Sequence, residues 1–327
     1  KKNYRSFLQN NYLTSIAKAP GKIILFGEHF VVYENRAILG AINKYATVTS
    51  EKTNTDNILI SSSLGQSSIQ KDEDVSNVEK KFRPFFYIAK QVIEKNNFDK
   101  GITIKIESDI PIGAGLGSSS ACCVAAAASI LNLFNNTDEK EVLELAINAE
   151  KTIFPNTSGA DCTVSVSGGI IEYQKEKGFS KIETENEFNF IIIDSEQVHS
   201  TDKVVERVRK FKENNSDVFT ELCSEEERLI AKALDSMKKN DLETIGKCMA
   251  QNQMFLEQIG VSNDELLSIT KEIEKITFGA KITGAGDGGC IIALTQKDDD
   301  LSEYVNTTKY QTYHVTIQKT GMQVFNT

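Results

Sequence analysis

The sequence predicts an α+β protein of two domains. Strand-like and helical segments alternate irregularly through the first half, whereas the second half opens on a strand and then turns largely helical. The chain has 327 residues, 40% of them hydrophobic, enough for one large or two moderate cores.

The first half opens as sheet. AKAPGKIILFGEHFVVY (17–33) clusters β-formers around Gly21 and Gly27, and ATVTSE, ILISSS and GITIKIE continue the pattern. Helical spacing marks FRPFFYIAKQVIEKN, the alanine-rich run after Ser120, and DEKEVLELAINAEKTI with its Thr-Asp cap. After the strand SGGIIEY, the charged stretch QKEKGFSKIETENE reads as a loop or hairpin between the halves. It sets expected domains of 1–183 and 184–327.

The second half begins with the strand FNFIIID. Helices are expected at KVVERVRKF, from Ser224 to Lys239, at DLETIGKCMAQNQMFLEQIG and at DELLSITKEIEKI, and strands at GCIIAL and YHVTIQKT. ENNS (213–216) and QKDDDL (296–301) read as polar loops, and no internal repeat stands out.

Composition narrows the function. A net charge of −9 argues against nucleic acid or anionic membrane as a partner. No apolar run reaches the roughly 20 residues of a membrane span, and the polar opening KKNYRSFLQNNYLTS lacks a signal-peptide core, so the chain reads as cytoplasmic. It starts at Lys1 rather than Met, which reads as a trimmed N-terminus. The six cysteines form no CxxC pair and have no histidine at metal spacing, as expected of reduced core thiols.

Three segments carry chemistry. PIGAGLGSSSA (111–121) precedes a helical run, so backbone N–H groups of a loop without bulky side chains can face an anion. It lacks the Gly-Lys-Ser/Thr ending of a P-loop, and a flexible capped turn is the bland alternative. KITGAGDGGC (281–290) has dinucleotide-fingerprint glycine spacing, but an apolar, β-branched run follows where that fingerprint needs a helix. APGKIILFGEH places Lys22, Glu28 and His29 around a strand, where each alone is more often structural than catalytic.

Taken in chain order, APGKIILFGEH, PIGAGLGSSSA and KITGAGDGGC resemble the three signature motifs of the GHMP kinases. PNTSGADCTVSVSGG and MAQNQMFLEQIGVSNDEL extend the resemblance across roughly Ala17 to Leu294, and the first motif is most similar to its mevalonate kinase form. The resemblance implies an N-terminal domain like ribosomal protein S5 domain 2, a ferredoxin-like C-terminal domain with added helices, and an active site between them. It also implies ATP and Mg²⁺ as cofactors and mevalonate as the small-molecule substrate, phosphorylated on its primary hydroxyl in isoprenoid synthesis. Phe30, Val31, Val32 and Tyr33 stand where galactokinases carry sugar-binding residues, and suit a small methyl-bearing acid. Phosphomevalonate kinase is the rival within the family, and a non-catalytic sensor is the rival from another class. Family members are often homodimers, so a homodimer is expected.

Residue roles follow from the resemblance. Pro111, Gly113, Ala114, Gly115, Leu116, Gly117, Ser118, Ser119 and Ser120 hold the nucleotide phosphates. Ser119 and Glu150 bind the metal, and Asp161, eleven residues after Glu150, accepts or orients the substrate proton with Lys22 beside it. Glu28 and His29 line the substrate pocket, with His29 as a hydrogen-bond donor, and Ser200 and Thr201 close on substrate. Gly284, Ala285 and Gly286 support the phosphate loop. Asp287 departs from the family's glycine, and its carboxylate is tolerable near phosphates only if it points away or meets a cation.

Overall fold

The computed structural model describes residues 14–197, 200–297 and 301–326. The opening segment before Thr14, His199 and residues 298–300 of the loop expected at 296–301 lie outside the described residues.

The N-terminal sheet is built on two long strands, β1 (Thr14–Phe26) and β2 (Ala37–Lys52), paired antiparallel. FVVY between them is not strand but a 3-10 turn, Phe30–Tyr33. Positive φ at Gly27 (93°), His29 (61°) and Glu34 (69°) breaks the extended backbone that its β-branched residues favour. β3 (Asn57–Ser62) and β4 (Gly65–Gln70) form a hairpin whose second strand carries no clear sequence signal, and α1 (Arg83–Lys95) leads to β5 (Ile102–Ser108).

Two buried helices follow. In α2 (Ser118–Asn132), every residue from Ser120 onward is buried, because alanine, cysteine and valine on all sides let neighbours approach from every direction. α3 (Glu139–Lys151) is capped by Asp138, whose side chain accepts the Glu141 N–H. The short α4 (Ala160–Ser167), also unforeseen, starts at Gly159 (φ 78°). β6 (Ile170–Gln174) and β7 (Gly178–Ile182) make the expected hairpin.

The C-terminal half opens on β8 (Asn189–Asp194) and continues through α5 (Thr201–Asn214), α6 (Ser216–Lys239), α7 (Leu242–Gln258) and α8 (Asp264–Ile273). The loop expected at ENNS shrinks to a break at Asn215, and α6 starts eight residues before Ser224. β9 (Gly279–Thr283), β10 (Cys290–Thr295), the unforeseen α9 (Ser302–Thr307), β11 (Gln311–Thr316) and β12 (Gln323–Asn326) complete the chain.

The described residues form two sheets. The first runs β12-β1-β2-β5-β3-β4, with β6 and β7 joined at the other end of β2, and the second runs β11-β8-β10-β9. β12 therefore returns to cover the outer edge of β1, pairing Ser15 with Asn326 and Lys18 with Gln323. The six cysteines are unpaired thiols, five buried and Cys223 half-buried. Burial pushes the Cys122 thiol up to about 12, so it stays protonated at neutral pH.

Helix α7 crosses β9 through a pair of glycines. A Cβ on Gly246 would collide with the Phe278 carbonyl oxygen, and one on Gly279 with the backbone of Gly246. Gly246→Ala gains about 1 kcal/mol of helix propensity and loses about 1–3 to overpacking, so a net loss is expected. Urea denaturation checks this, and a variant more stable than the wild type would show that the crossing yields easily.

Candidate active site

Residue Lys22 is placed by an irregularity in β1. Pairing with β2 shifts register between Pro20 and Lys22, and the freed Pro20 carbonyl accepts the Ser165 hydroxyl at 2.6 Å. Gly21 has no Cβ, so the Leu116 carbonyl oxygen can lie 2.8 Å from where that atom would be. The Lys22 N–H donates to the same oxygen at 2.9 Å. Strand and glycine loop are thereby joined backbone to backbone.

The lysine side chain then runs along the loop. Its Cγ lies 2.8 Å from the position a Gly117 Cβ would take, and Gly117 has φ 74°, so glycine is required there on two counts. The ammonium donates to the Gly115 carbonyl at 2.9 Å and meets Asp161 Oδ2 at 3.3 Å. Lys22 is buried, while the Asp161 side chain is 35% exposed, so the pair is reached from the Asp161 side.

Residue Asp161 sits in the first turn of α4, whose approach is fixed by the Tyr173 hydroxyl donating to the Ser158 carbonyl at 2.6 Å. Glu150, in the last turn of α3, is buried below it. One Glu150 oxygen accepts the Ser120 hydroxyl and the other the Thr157 hydroxyl at 2.6 Å. Burial raises the Glu150 pKa, opposed by these two hydroxyls and aided by the charge on Asp161. The serine on Glu150 is thus Ser120, whereas Ser119 is exposed in the first turn of α2.

Along the phosphate loop, Gly113 (φ 79°) and Gly115 (φ 75°) are exposed, while Ala114 and Leu116 turn inward to the core and Pro111 and Ser118 are half-buried. The third motif abuts it, since a Cβ on Gly284 would lie 3.9 Å from the Gly115 carbonyl oxygen. Thr283 fastens this motif to β1, accepting the Ile24 N–H at 2.9 Å and donating to the Ile24 carbonyl at 3.2 Å. Gly286 (φ 80°) packs on the Val261 carbonyl, and Asp287 holds a left-handed φ of 60°. Its carboxylate meets Arg207 Nη2 at 2.9 Å.

Two substrate-pocket expectations change. His29 Nε2 lies 2.7 Å from the Ala285 carbonyl, which can only accept, so Nε2 carries the proton. Burial lowers the His29 pKa, which leaves the ring neutral and Nδ1 an acceptor. The sequence made His29 a donor to substrate; with its one N–H held by Ala285 it is instead an acceptor, able to take a hydrogen bond from a hydroxyl. Glu28 does not line a pocket. It is buried against Lys281, which is itself fully buried and also donates to the Ile282 carbonyl at 2.6 Å. Burial pushes Glu28 up and Lys281 down, and their contact works against both shifts.

The remaining pocket residues are dispersed. Phe30 is in the core, stacked on Phe219 at 5.9 Å, with Tyr33 edge-on to Phe219 at 4.9 Å, while Val32 is exposed and Val31 packs on the small cluster that includes Leu39, Val164 and Ile171. Phe30 and Tyr33 thus dock the first motif on α6, and the four residues do not form one apolar wall. Ser200 caps α5 and Thr201 begins it, both exposed.

A second buried group lies behind Glu28. Glu226 Oε2 accepts from Asn252 Nδ2 at 2.8 Å, and among the described residues Glu28 Oε2, Glu226 Oε1 and the Asn252 amide oxygen are buried without a hydrogen-bond partner. Neither Glu226 nor Lys281 was singled out from sequence. Glu226 lies in SEEERL, which looks like a solvated helix face, but a lysine inside the strand GAKIT was a readable signal.

Comparison with known proteins agrees with this geometry. The family model described as GHMP kinases N terminal domain matches residues 84–169, and GHMP kinases C terminal matches 230–308. The mevalonate kinase of Archaeoglobus fulgidus is 35% identical over 293 residues, 89% of this chain and 95% of that protein. The crystal structure of Methanococcus jannaschii mevalonate kinase superposes with a TM-score of 0.83 at 28% identity, covering 94% of this chain and 99% of that one. That of L. major mevalonate kinase in complex with R-mevalonate gives 0.80 at 26% identity, covering 93% and 96%.

Burial raises the Glu226 carboxyl from 4.5 to about 7, with Glu28 adding to the shift and Asn252, Lys281 and the Gly27 N–H opposing it. A carboxyl raised in the folded state takes up protons on folding. Its cost is absent below about pH 4.5, grows as pH rises and is complete above about pH 7. Glu226→Gln should therefore gain stability relative to wild type between about pH 5 and about pH 8, by at most on the order of 3 kcal/mol. Urea denaturation at both pH values reads the difference, and a pH-independent gap would refute it.

Proposed function

The chain belongs to the GHMP kinase family, and from that premise we infer that it transfers the γ-phosphoryl group of ATP to the primary C5 hydroxyl of mevalonate, yielding 5-phosphomevalonate for isoprenoid synthesis. The observation that carries this reading is Lys22 touching both Gly115 of the phosphate loop and Asp161. Phosphoryl transfer needs a phosphate cradle, an acceptor-hydroxyl partner and a positive charge between them, and these contacts link all three.

The phosphate loop supplies the cradle. Positive φ at Gly113, Gly115 and Gly117 presents backbone without side chains ahead of α2, whose N-terminus favours anions. Asp161 accepts a hydrogen bond from the mevalonate C5 hydroxyl and orients its lone pair toward phosphorus. Lys22 stabilises the negative charge that builds on the attacking oxygen, and a fixed charge in a closed cleft is worth on the order of 3 kcal/mol. The neutral His29, through Nδ1, is suited to accept from the second, tertiary hydroxyl.

The residues around Glu150 fit Mg²⁺. They are hard oxygen donors, a buried carboxylate with the Ser120 hydroxyl on it, and with Ser119 one residue earlier on α2 they suit an ion that takes few protein ligands and shares the substrate's phosphates. Bound there, Mg²⁺ would neutralise charge on the β- and γ-phosphates. Thr157 holds the carboxylate in place from its other oxygen.

The two halves take separate tasks in this reading. Residues 1–183 hold the nucleotide and the Lys22–Asp161 pair, while residues 184–327 bring the third motif against the phosphate loop. Ser200 and Thr201, at the start of α5, close over substrate in this reading. Among the described residues no helix is long and apolar enough to cross a membrane. The reading also takes the enzyme to be a cytoplasmic homodimer.

A coupled assay of ADP release with ATP, Mg²⁺ and either mevalonate, 5-phosphomevalonate, galactose or homoserine tests the assignment. Turnover is expected on mevalonate. Turnover on another acceptor alone would overturn the substrate, and nucleotide binding without turnover would favour a sensor. Asp161→Asn should lower kcat at least about a hundredfold, with the KM for ATP changed far less. Comparable losses in both parameters would place Asp161 in binding rather than in the chemical step.

A further inference from the structure

We propose that Arg207 is a positioning residue for nucleotide binding, holding the carboxylate of Asp287 away from the phosphate site. The proposal rests on the ATP-dependent reading above. Asp287 lies in the third glycine motif, whose Gly284 approaches the phosphate loop so closely that a Cβ there would sit 3.9 Å from the Gly115 carbonyl oxygen. Asp287 follows Gly284 by three residues, at most about 11 Å of chain. A free carboxylate on that tether is within reach of the triphosphate's field.

Asp287 is tied instead to Val261 and Arg207. Its N–H donates to the Val261 carbonyl at 2.7 Å, and its φ of 60° is one that aspartate tolerates better than most side chains. Its Oδ2 accepts from Arg207 Nη2 at 2.9 Å, while Arg207 Nη1 donates to the Gly260 carbonyl at 3.0 Å. The two arms of the guanidinium thus span the turn after α7 and the glycine motif. Lysine has no such fork.

The pair does little for stability. The side chains are 44% and 33% exposed, and exposed ion pairs contribute about 0–1 kcal/mol. Its consequence lies in the field at the phosphate loop. Two unit charges about 10 Å apart at a protein surface repel enough to change binding several-fold when one partner carries multiple charges.

The test is a double-mutant cycle on the full chain, reading ADP affinity by calorimetry and the KM for ATP. Arg207→Ala should weaken both about two- to fivefold, and the loss should shrink at about 0.5 M salt, where charges are screened beyond about 4 Å. Arg207→Ala/Asp287→Gly should recover the wild-type values, because no carboxylate remains to be held. Arg207→Lys, which keeps the charge without the fork, should fall between. A defect in Arg207→Ala that Asp287→Gly does not rescue, or no defect at all, overturns the proposal. Thermal melts separate unfolding from either result. Failure of the wild-type chain to bind ADP would overturn the ATP reading instead, and with it the proposal.

Discussion

The site depends on one buried ammonium. Lys22 is held by its own backbone, which donates to Leu116, and by its Nζ, shared between Gly115 and Asp161. A buried charge without partners would cost several kcal/mol, so the strand bulge, the phosphate loop and the start of α4 must arrive together for Lys22 to be tolerable. The same contacts place a positive charge between a phosphate cradle and a carboxylate. Folding and chemistry therefore impose the same geometry.

The second half of the chain stabilises that geometry from the side. Thr283 bridges both backbone groups of Ile24, and His29 donates to Ala285. Lys281 reaches back to Glu28. Three residues of β9 and its following loop thus grip the strand and turn that carry Lys22. His29, with φ 61°, keeps a strained backbone because its ring and its neighbour Glu28 are both fixed in this way. β12 closes the remaining edge of β1 from the far end of the chain.

Much of this was legible in the sequence because it is local. Glycines at fixed spacing, a Ser-rich helix start and an Asp eleven residues beyond a Glu are short-range patterns that carry the family resemblance, which pointed to Lys22, Glu150 and Asp161, and the fold brings Lys22 to 3.3 Å from Asp161. What was not legible depends on distant partners. FVVY has strand propensity, but positive φ values on either side turn it into a 3-10 turn packed on Phe219 of α6. His29 looked like a donor until Ala285 took its N–H, and Glu28 looked like a pocket residue until Lys281 covered it. Asp287 could be read only as a conditional cost, and Arg207 of α5 supplies the cation that the condition required. β12 carries too few residues to announce itself, and exists as a strand because β1 offers it an edge.

In this mechanism the Lys22–Asp161 pair delivers the γ-phosphoryl group to a primary alcohol. Phosphorus NMR of the product formed from ATP and mevalonate tests that step directly, because a phosphate on C5 couples to the two protons of its methylene group. The predicted result is a single new monoester resonance split into a triplet. A singlet, reporting phosphate on the tertiary hydroxyl, would contradict the orientation assigned to Asp161, Lys22 and His29.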